Sequence, residues 1–446
     1  MTLKSRLSVL LLSTPVLAFV VVGGLMGNAS ARSGDDTFQH LRVFDDVLQH
    51  VISTYVEEVK VDKVMEGAMK GLADGLDPDS AYLNAKLLTE VESGTATPEG
   101  DVGLELTRQF YLRVIAARDG SPAAKAGLHT GDYVRAIDGK PARDMSVFEG
   151  TRLLRGQPGS KVTLTVIRGN AADPHEVSLV REKAAGPVVT GRLISLAGRD
   201  VPAAKAGDMV DLPLLSAEAG YVRIASFRSG VVEDLRKQVA DLSKSGAKSL
   251  IIDVRRTAEG PLENGIAAAR LFVKSGTLAI KAGHKGEGKE TVEARSGDGA
   301  VVLPIQILIT NGTAGAAEVF AAALNGNKRG ELVGEHTIGR AALQKLVKLP
   351  EGRALWLTYA SYYRPGGAPI TTNKPPAGQV RVPDSPDQPA GKAIESLIRE
   401  TPIQGKGLEP TVEVEDVDVA DFGSIQSDKD PILDAALDRL KQGTAK

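Results

Sequence analysis

The sequence predicts a multidomain α/β protein, and three observations carry this prediction. The chain has 446 residues, which suits two or three domains better than one. An apolar leader is followed by helical periodicity, and then by short strand patterns separated by turns. From residue 220 to 372, apolar strand patterns alternate with amphipathic helix patterns, which is typical of a parallel sheet covered by helices.

Composition excludes several classes of function. The net charge is −2 and aromatic residues make up 4% of the chain, so neither a basic nucleic-acid surface nor a base-stacking platform is expected. Without cysteine, the chain has no disulfides, thiolate metal sites or lipoprotein anchor. The histidines are scattered and no glycine run has nucleotide-binding spacing, so we predict neither metal nor cofactor.

The N-terminus has the features of an export signal. Lys4 and Arg6 precede an apolar run over residues 7–26, and Ala29-Ser30-Ala31 offers the small residues of a cleavage site. Residues 1–31 are therefore predicted to be a signal peptide, and an uncleaved membrane anchor through residues 7–26 is the alternative. In either case the rest of the chain is expected across the membrane, in the periplasm.

Residues 32–98 are predicted to form a helical module. Apolar residues recur at three- and four-residue steps from Phe38 to Ile52, and a second such stripe follows residue 61. The segment L-D-P-D-S-A-Y-L, residues 76–83, ends this second stripe. The apolar stripe is predicted to be core, with a partner surface as the alternative.

Residues 99–183 contain strands, a short helix and tight turns in a fixed order. The segment G-S-P-A-A-K-A-G-L-H-T-G-D-Y-V-R-A-I-D-G, residues 120–139, closely resembles a PDZ domain. PDZ domains bind an extended peptide by strand addition and hold its carboxylate in backbone N–H groups. The resemblance implies a peptide-binding site at Val102, Gly103, Leu104, Leu106, Val147, Thr151 and Leu154; that these apolar residues are simply core is the alternative.

Residues 184–219 show little periodicity and are predicted to be a linker. Buried strands are predicted at 249–254 and 304–310, and helices at 231–245, 262–273 and 314–325. Residues 371–402 are polar and rich in proline, so they are predicted to be an exposed insertion. The core would then comprise residues 220–370 and 403–446.

Motifs spread over residues 38–441 resemble the carboxyl-terminal processing serine proteases. They include G-Y-V-R-I at 220–224, L-I-I-D-V-R at 250–255, V-G-E-H-T-I-G at 333–339 and Y-Y-R-P-G-G at 362–367. The resemblance implies a PDZ domain beside an α/β core of the ClpP/crotonase-like type. It also relates residues 76–83 to the family segment L-D-P-H-S-x-Y-L.

The same resemblance indicates that the catalytic residues are missing. The family's nucleophilic Ser, its Lys base and the Gln that orients the Lys fall on Gly315, Arg340 and Gln344. Glycine has no oxygen to attack with, and arginine stays protonated and cannot act as a base. In the segment that shapes the family's oxyanion hole, Glu259 precedes Gly260 where the family has two glycines, and a carboxylate there opposes a developing oxyanion.

A substitute pair, Thr313 and His336, is conceivable, but Thr313 is predicted to cap the following helix. The sequence therefore predicts a pseudoprotease that binds protein C-termini or partner proteins through its PDZ domain and vacated cleft, where Arg340 would hold an anion. Its partners would be chain ends, a second copy in a homodimer, or an active protease. An active endopeptidase and a purely structural dimerisation scaffold are the alternatives.

Overall fold

The computed structural model describes residues 38–93, 98–168, 173–184, 186–195, 218–365, 402–417 and 429–444. The predicted signal peptide and the predicted insertion, apart from residue 402, lie outside these ranges. The chain divides into two units, one up to Gly71 and one from Leu72 onwards. Within the described ranges, none of the helices combines the length and the apolar character needed to cross a membrane.

The N-terminal helices are those expected from the periodicity. Residues 38–54 form α1, followed by α2 (Val61–Asp74). The apolar side chains of Phe38, Leu41 and Val47 are more than half exposed.

The helical module predicted over residues 32–98 is wrong at residues 81–83, which form a strand. Beyond α2 the chain forms β1 (Ala81–Leu83) and α3 (Ala85–Glu92). Strand β1 pairs antiparallel with a late strand of the core, so backbone hydrogen bonds tie this segment to a sheet instead of to the helices before it.

The PDZ unit is a six-stranded antiparallel sheet with two helices. Its chain order is β2 (Gly100–Asp101), β3 (Leu104–Gln109), β4 (Tyr111–Ala117), α4 (Pro122–Lys125), β5 (Tyr133–Ile137), β6 (Lys140–Pro141), α5 (Val147–Leu154), β7 (Lys161–Ile167), β8 (His175–Val180) and β9 (Glu182–Lys183). The sheet order is β3-β4-β5-β7-β8, with β6 on β5, while β2 pairs with β9 outside this sheet. Strand β3 is thus an edge strand of this sheet, beside α5, where a peptide strand can be added.

The core contains two further sheets. Its elements are β10 (Val189–Ser195), β11 (Glu218–Ile224), α6 (Val231–Lys244), β12 (Ser249–Asp253), α7 (Leu262–Ala269), β13 (Thr277–Gly283), β14 (Glu290–Glu293), β15 (Ile305–Ile309), α8 (Ala316–Gly326), β16 (Gly330–Gly334), β17 (Ala342–Leu349), β18 (Arg353–Tyr363), β19 (Val412–Glu413) and α9 (Pro431–Thr444). One sheet has the order β10-β11-β12-β15-β16-β19, and the other runs β1-β18-β13-β14 with β17 on β18.

The parallel strands of the first sheet are covered on both faces. Ile252 belongs to the apolar cluster under α6, α7 and α8, and its neighbour Ile251 belongs to the cluster under α9. Alternate residues of a strand point to opposite faces, which is why these strands are continuous apolar runs in the sequence.

The linker predicted over 184–219 is wrong for Val189–Ser195. These residues form β10, which pairs antiparallel with β11 along its whole length at the edge of the core sheet. Its hydrophobicity alternates only partly, since Val189, Ile194 and Ser195 are buried and the residues between them are more exposed.

Candidate active site

Gly315 lies directly before α8, in a backbone conformation that suits glycine. Its φ is 61° and its ψ is −121°, a region that L side chains rarely adopt. There is nevertheless room for a side chain, because a Cβ at this position would be 3.5 Å from the carbonyl oxygen of Ala258 and 3.6 Å from that of Arg340. The site thus keeps a turn that would strain an L residue, and it lacks the hydroxyl needed for nucleophilic attack.

Glu318 holds the two altered positions together. This fully buried carboxylate accepts hydrogen bonds from the backbone N–H groups of Gly315 (3.1 Å), Gly339 (2.7 Å) and Arg340 (2.8 Å), and from the hydroxyl of Thr337 (2.5 Å). Burial raises the pKa of Glu318 to about 7, although these four donors oppose the shift. The sequence signal for this role is the spacing of three residues from Gly315, which is that of a capping box.

Arg340 is the centre of an ion triad. Its Nε donates to Asp79 Oδ1 at 2.8 Å, and its Nη1 donates to Glu105 Oε2 at 3.3 Å. Burial lowers the pKa of the guanidinium, but the two carboxylates outweigh burial and the pKa is raised. Arg340 therefore stays charged and cannot accept a proton from a nucleophile.

The side chain of Arg340 is paired with two carboxylates of the protein itself, so an anion from outside would have to compete with them. Asp79 is almost fully buried and its turn is fixed by Asp77, whose side chain accepts from the backbone N–H groups of Asp79 and Ser80. The departure of Asp79 from the family segment was visible in the sequence, but its contact with Arg340 was not.

Gln344 does not orient the residue at the base position. It lies in β17, and its amide donates to the hydroxyl of Thr358 at 3.3 Å. Among the described residues, no hydrogen bond joins Gln344 to Arg340.

Thr313 and His336 have other hydrogen-bond partners and, among the described residues, make no hydrogen bond to each other. Thr313 is fully buried; its hydroxyl donates to the carbonyl of Val254 (2.9 Å) and accepts from the backbone N–H of Thr310 (3.0 Å). His336 contacts the carbonyl of Thr337 through Nδ1. The prediction that Thr313 caps α8 is wrong, because α8 begins at Ala316 and the cap is formed by Gly315 with Glu318.

The segment around Glu259 joins the core to the PDZ unit. Gly260 has a φ of 122°, and a Cβ there would lie 2.4 Å from the backbone of Phe227, so glycine is required. The carboxylate of Glu259 accepts from Arg118 at 3.1 Å, and Arg118 also donates to Asp101 at 2.9 Å. The charge of Glu259 is thus paired with an arginine of the PDZ unit.

A cleft between the PDZ unit and the core contains most of the predicted peptide-binding residues. It is lined by Val102, Gly103, Leu104, Thr151 and Leu154, together with Arg118, Glu259 and neighbours from both units. Leu106 and Val147 do not line it and are buried in the PDZ core, as the alternative interpretation held. Val102, Leu104 and Leu154 line the cleft and also belong to that buried core. Gly103 has a φ of 73°, and a Cβ there would lie 2.3 Å from that of Ser121, so the loop at the start of β3 needs glycine.

The structure combines a PDZ unit with an α/β core in which a glycine of positive φ precedes a helix, and this combination is that of the PDZ-containing peptidase class. Residues 218–378 match the sequence profile of peptidase family S41, and residues 113–168 match that of a PDZ domain. The chain belongs to the carboxyl-terminal processing protease family.

Individual relatives support this membership. The chain is 29% identical to a carboxy-terminal-processing protease of Bartonella bacilliformis, over 76% of this chain and 75% of the relative. It is 30% identical to a chloroplastic C-terminal processing peptidase of Tetradesmus obliquus, over 71% of this chain and 68% of the relative. Among solved structures, a photosystem II D1 C-terminal processing protease aligns with a TM-score of 0.59 and 26% identity, over 83% of this chain and 92% of that one.

Proposed function

We propose that this protein is a non-catalytic, exported member of its family that binds protein C-termini through its PDZ unit. The observation that carries the proposal is the ion triad at position 340, opposite a glycine at position 315. A Ser–Lys peptidase needs a hydroxyl and a neutral amine side by side. Here the first is missing, and the second is replaced by a cation that two carboxylates keep protonated.

The rest of the site supports a binding function. The edge strand β3, the glycine loop before it and the apolar side chains of Leu104 and Leu154 are the parts that a PDZ domain uses for a chain end. One of these parts contacts the altered site, because Glu105 of β3 accepts a hydrogen bond from Arg340 at 3.3 Å.

Proteolysis assays test the loss of activity. We expect the wild-type protein to release no fragments from an unfolded substrate such as β-casein. We expect Gly315→Ser combined with Arg340→Lys to remain inactive as well, because the buried carboxylate of Asp79 would keep the new amine protonated. The triple variant with Asp79→His, the residue of the family segment, lacks that carboxylate. Of these variants, we expect it to be the one that regains cleavage.

Thr313→Ala is the control for a substitute nucleophile. Cleavage by the wild-type protein that disappears in this variant would overturn the proposal in favour of an active endopeptidase. Peptide binding is measured separately, by anisotropy of labelled decapeptides with a free carboxylate and of the same peptides with a C-terminal amide. Equal affinity for acid and amide would contradict C-terminal recognition.

A second candidate, self-association as a dimerisation scaffold, is favoured by one observation on α1. Phe38, Leu41, Phe44 and Val47 recur along this helix with 40 to 66% of their surface exposed. Apolar stripes of this kind mark interaction surfaces. Light scattering on the purified chain tests it: a monomer at micromolar concentration contradicts a dimer, and Phe44→Ser with Val47→Ser should convert a dimer to a monomer.

A further inference from the structure

The cleft between the PDZ unit and the core is nearly closed as it stands. The centre of a water molecule can reach only about 30 Å³ of it, which is room for about two waters and too little for the end of a peptide. A chain end can therefore enter only if the two walls separate, and the contacts that cross the cleft decide how easily they do so.

Glu259 and Arg118 form such a contact at the loop where a peptide carboxylate would be held. Arg118 is a PDZ residue whose side chain is only 9% exposed, and its Nη1 lies 3.1 Å from Oε1 of Glu259 in the core. Its Nη2 would lie 3.3 Å from a Cβ at Gly103, so the guanidinium stands directly beside the loop that begins β3. A carboxylate from the core thus reaches the position where the carboxylate of a ligand would find a cation.

Charge in the cleft is balanced without a ligand. Among the residues that the structure describes, three arginines and three acids line it: Arg118, Arg155, Arg256, Asp101, Glu105 and Glu259. A ligand carboxylate would add a negative charge to a set whose formal sum is zero, and like charges at short range disfavour binding. Without Glu259 the same set would carry one net positive charge.

The second carboxylate oxygen of Glu259 lacks a hydrogen-bond donor among the described residues. This oxygen, Oε2, is buried. A buried carboxylate oxygen without a donor costs free energy that is recovered when the group reaches water. The unpaired oxygen therefore destabilises the closed state, and this lowers the free energy needed to break the Glu259–Arg118 ion pair.

We propose that Glu259 is an internal competitor of the peptide carboxylate: its ion pair with Arg118 closes the PDZ cleft, and a protein chain end binds by breaking that pair. This inference rests on the proposed function, that the PDZ unit binds C-termini. It assigns to Glu259, which stands where the family has glycine, a role in the affinity and specificity of binding instead of in catalysis.

Peptide affinity in Glu259→Gln tests the proposal in the full chain. Glutamine keeps the size of the side chain and removes its charge. We expect decapeptides ending in a free carboxylate to bind about tenfold more tightly than to the wild type, within the usual range of coupling between two sites. The same peptides with a C-terminal amide should gain less than twofold, because their ends carry no charge for Glu259 to repel.

Two further variants complete the design. Glu259→Gly restores the family residue and should also raise acid affinity, while Glu233→Gln, a change of the same kind on the exposed face of α6, should leave it unchanged. Wild-type binding with no gain in Glu259→Gln, or an equal gain for acid and amide, overturns the competition and leaves the proposed function standing. Absence of acid-selective binding in the wild type and in both Glu259 variants overturns the proposed function together with this inference.

Discussion

Arg340 and Asp79 illustrate how two departures from a family pattern can compensate each other. Arg340 stands where the family has Lys, and Asp79 stands where it has His; in the fold their side chains form an ion pair at 2.8 Å. An arginine at this place with no acid beside it would leave a cation in a partly buried site, which is unfavourable. The pair therefore changes a proton-transfer position into a structural one.

Loss of this triad should destabilise the fold. We expect Arg340→Met to lower the free energy of unfolding by about 3 kcal/mol, because it leaves the buried Asp79 without its partner. Urea denaturation measures the change. Arg236→Met, on the exposed face of α6, is the matched control and should cost less than about 0.5 kcal/mol; equal losses in the two variants would contradict a structural role for the triad.

At the scale of elements, the carboxyl end of β12 is fastened to the start of α9 by a buried ion network. Asp253 accepts from Tyr221 at 2.5 Å and from Arg255 at 2.7 Å, and Arg255 reaches Asp430 at 2.8 Å. Asp430 also accepts from the backbone N–H of Leu433, so the same carboxylate caps α9. Burial alone would raise the pKa of Asp253, but Arg255 and Arg223 outweigh it and hold the pKa well below its usual value.

The lowered pKa of Asp253 makes the stability of the fold depend on pH. A depressed pKa means that the carboxylate stabilises the fold above its unfolded pKa of about 3.9, and that this contribution is lost as the pH falls through the folded value. We expect Asp253→Asn to cost about 3 to 5 kcal/mol at pH 7. We also expect its unfolding free energy to fall less steeply than that of the wild type below pH 4.

Asp241→Asn, an exposed carboxylate on α6, is the control for this pH series. It should follow the wild-type curve at every pH. An Asp253→Asn curve parallel to the wild type below pH 4 would show that the network is not the source of the acid sensitivity.

At the scale of the whole molecule, the PDZ unit and the core are joined by ion pairs at several points. Besides Arg118 with Glu259 and Arg340 with Glu105, Arg223 of β11 donates to Asp119 of the PDZ unit at 2.8 Å. These contacts link residues that are more than 100 positions apart in the sequence. Because of these contacts, the position of the PDZ unit against the core depends on charge. A ligand carboxylate could therefore change it.

Export is the prediction that concerns the complete chain. We expect the protein to be found in the periplasm, with an N-terminus produced by cleavage after Ala31. Mass spectrometry of the protein isolated from the envelope measures the mature N-terminus. Retention of residues 1–31 with fractionation into the membrane would instead support the anchor through residues 7–26.

The sequence alone was sufficient for the α/β class, the PDZ unit, the family and the two altered catalytic positions. These rest on local signals: apolar runs such as 249–253, turn residues such as Gly103, and motif spacing around Gly315 and Arg340. Such signals can be read from the sequence because backbone geometry and burial constrain residues that are close together along the chain.

Only the tertiary structure decided what the altered residues contact. The pairing of Arg340 with Asp79 spans 261 positions, and that of Arg118 with Glu259 spans 141. The same holds for β10, whose hydrophobic residues alternate too weakly to predict a strand. It is a strand because β11 supplies its backbone hydrogen-bond partners. Ion pairs and strand pairs are formed between segments that only the folded chain brings together, so no local pattern encodes them.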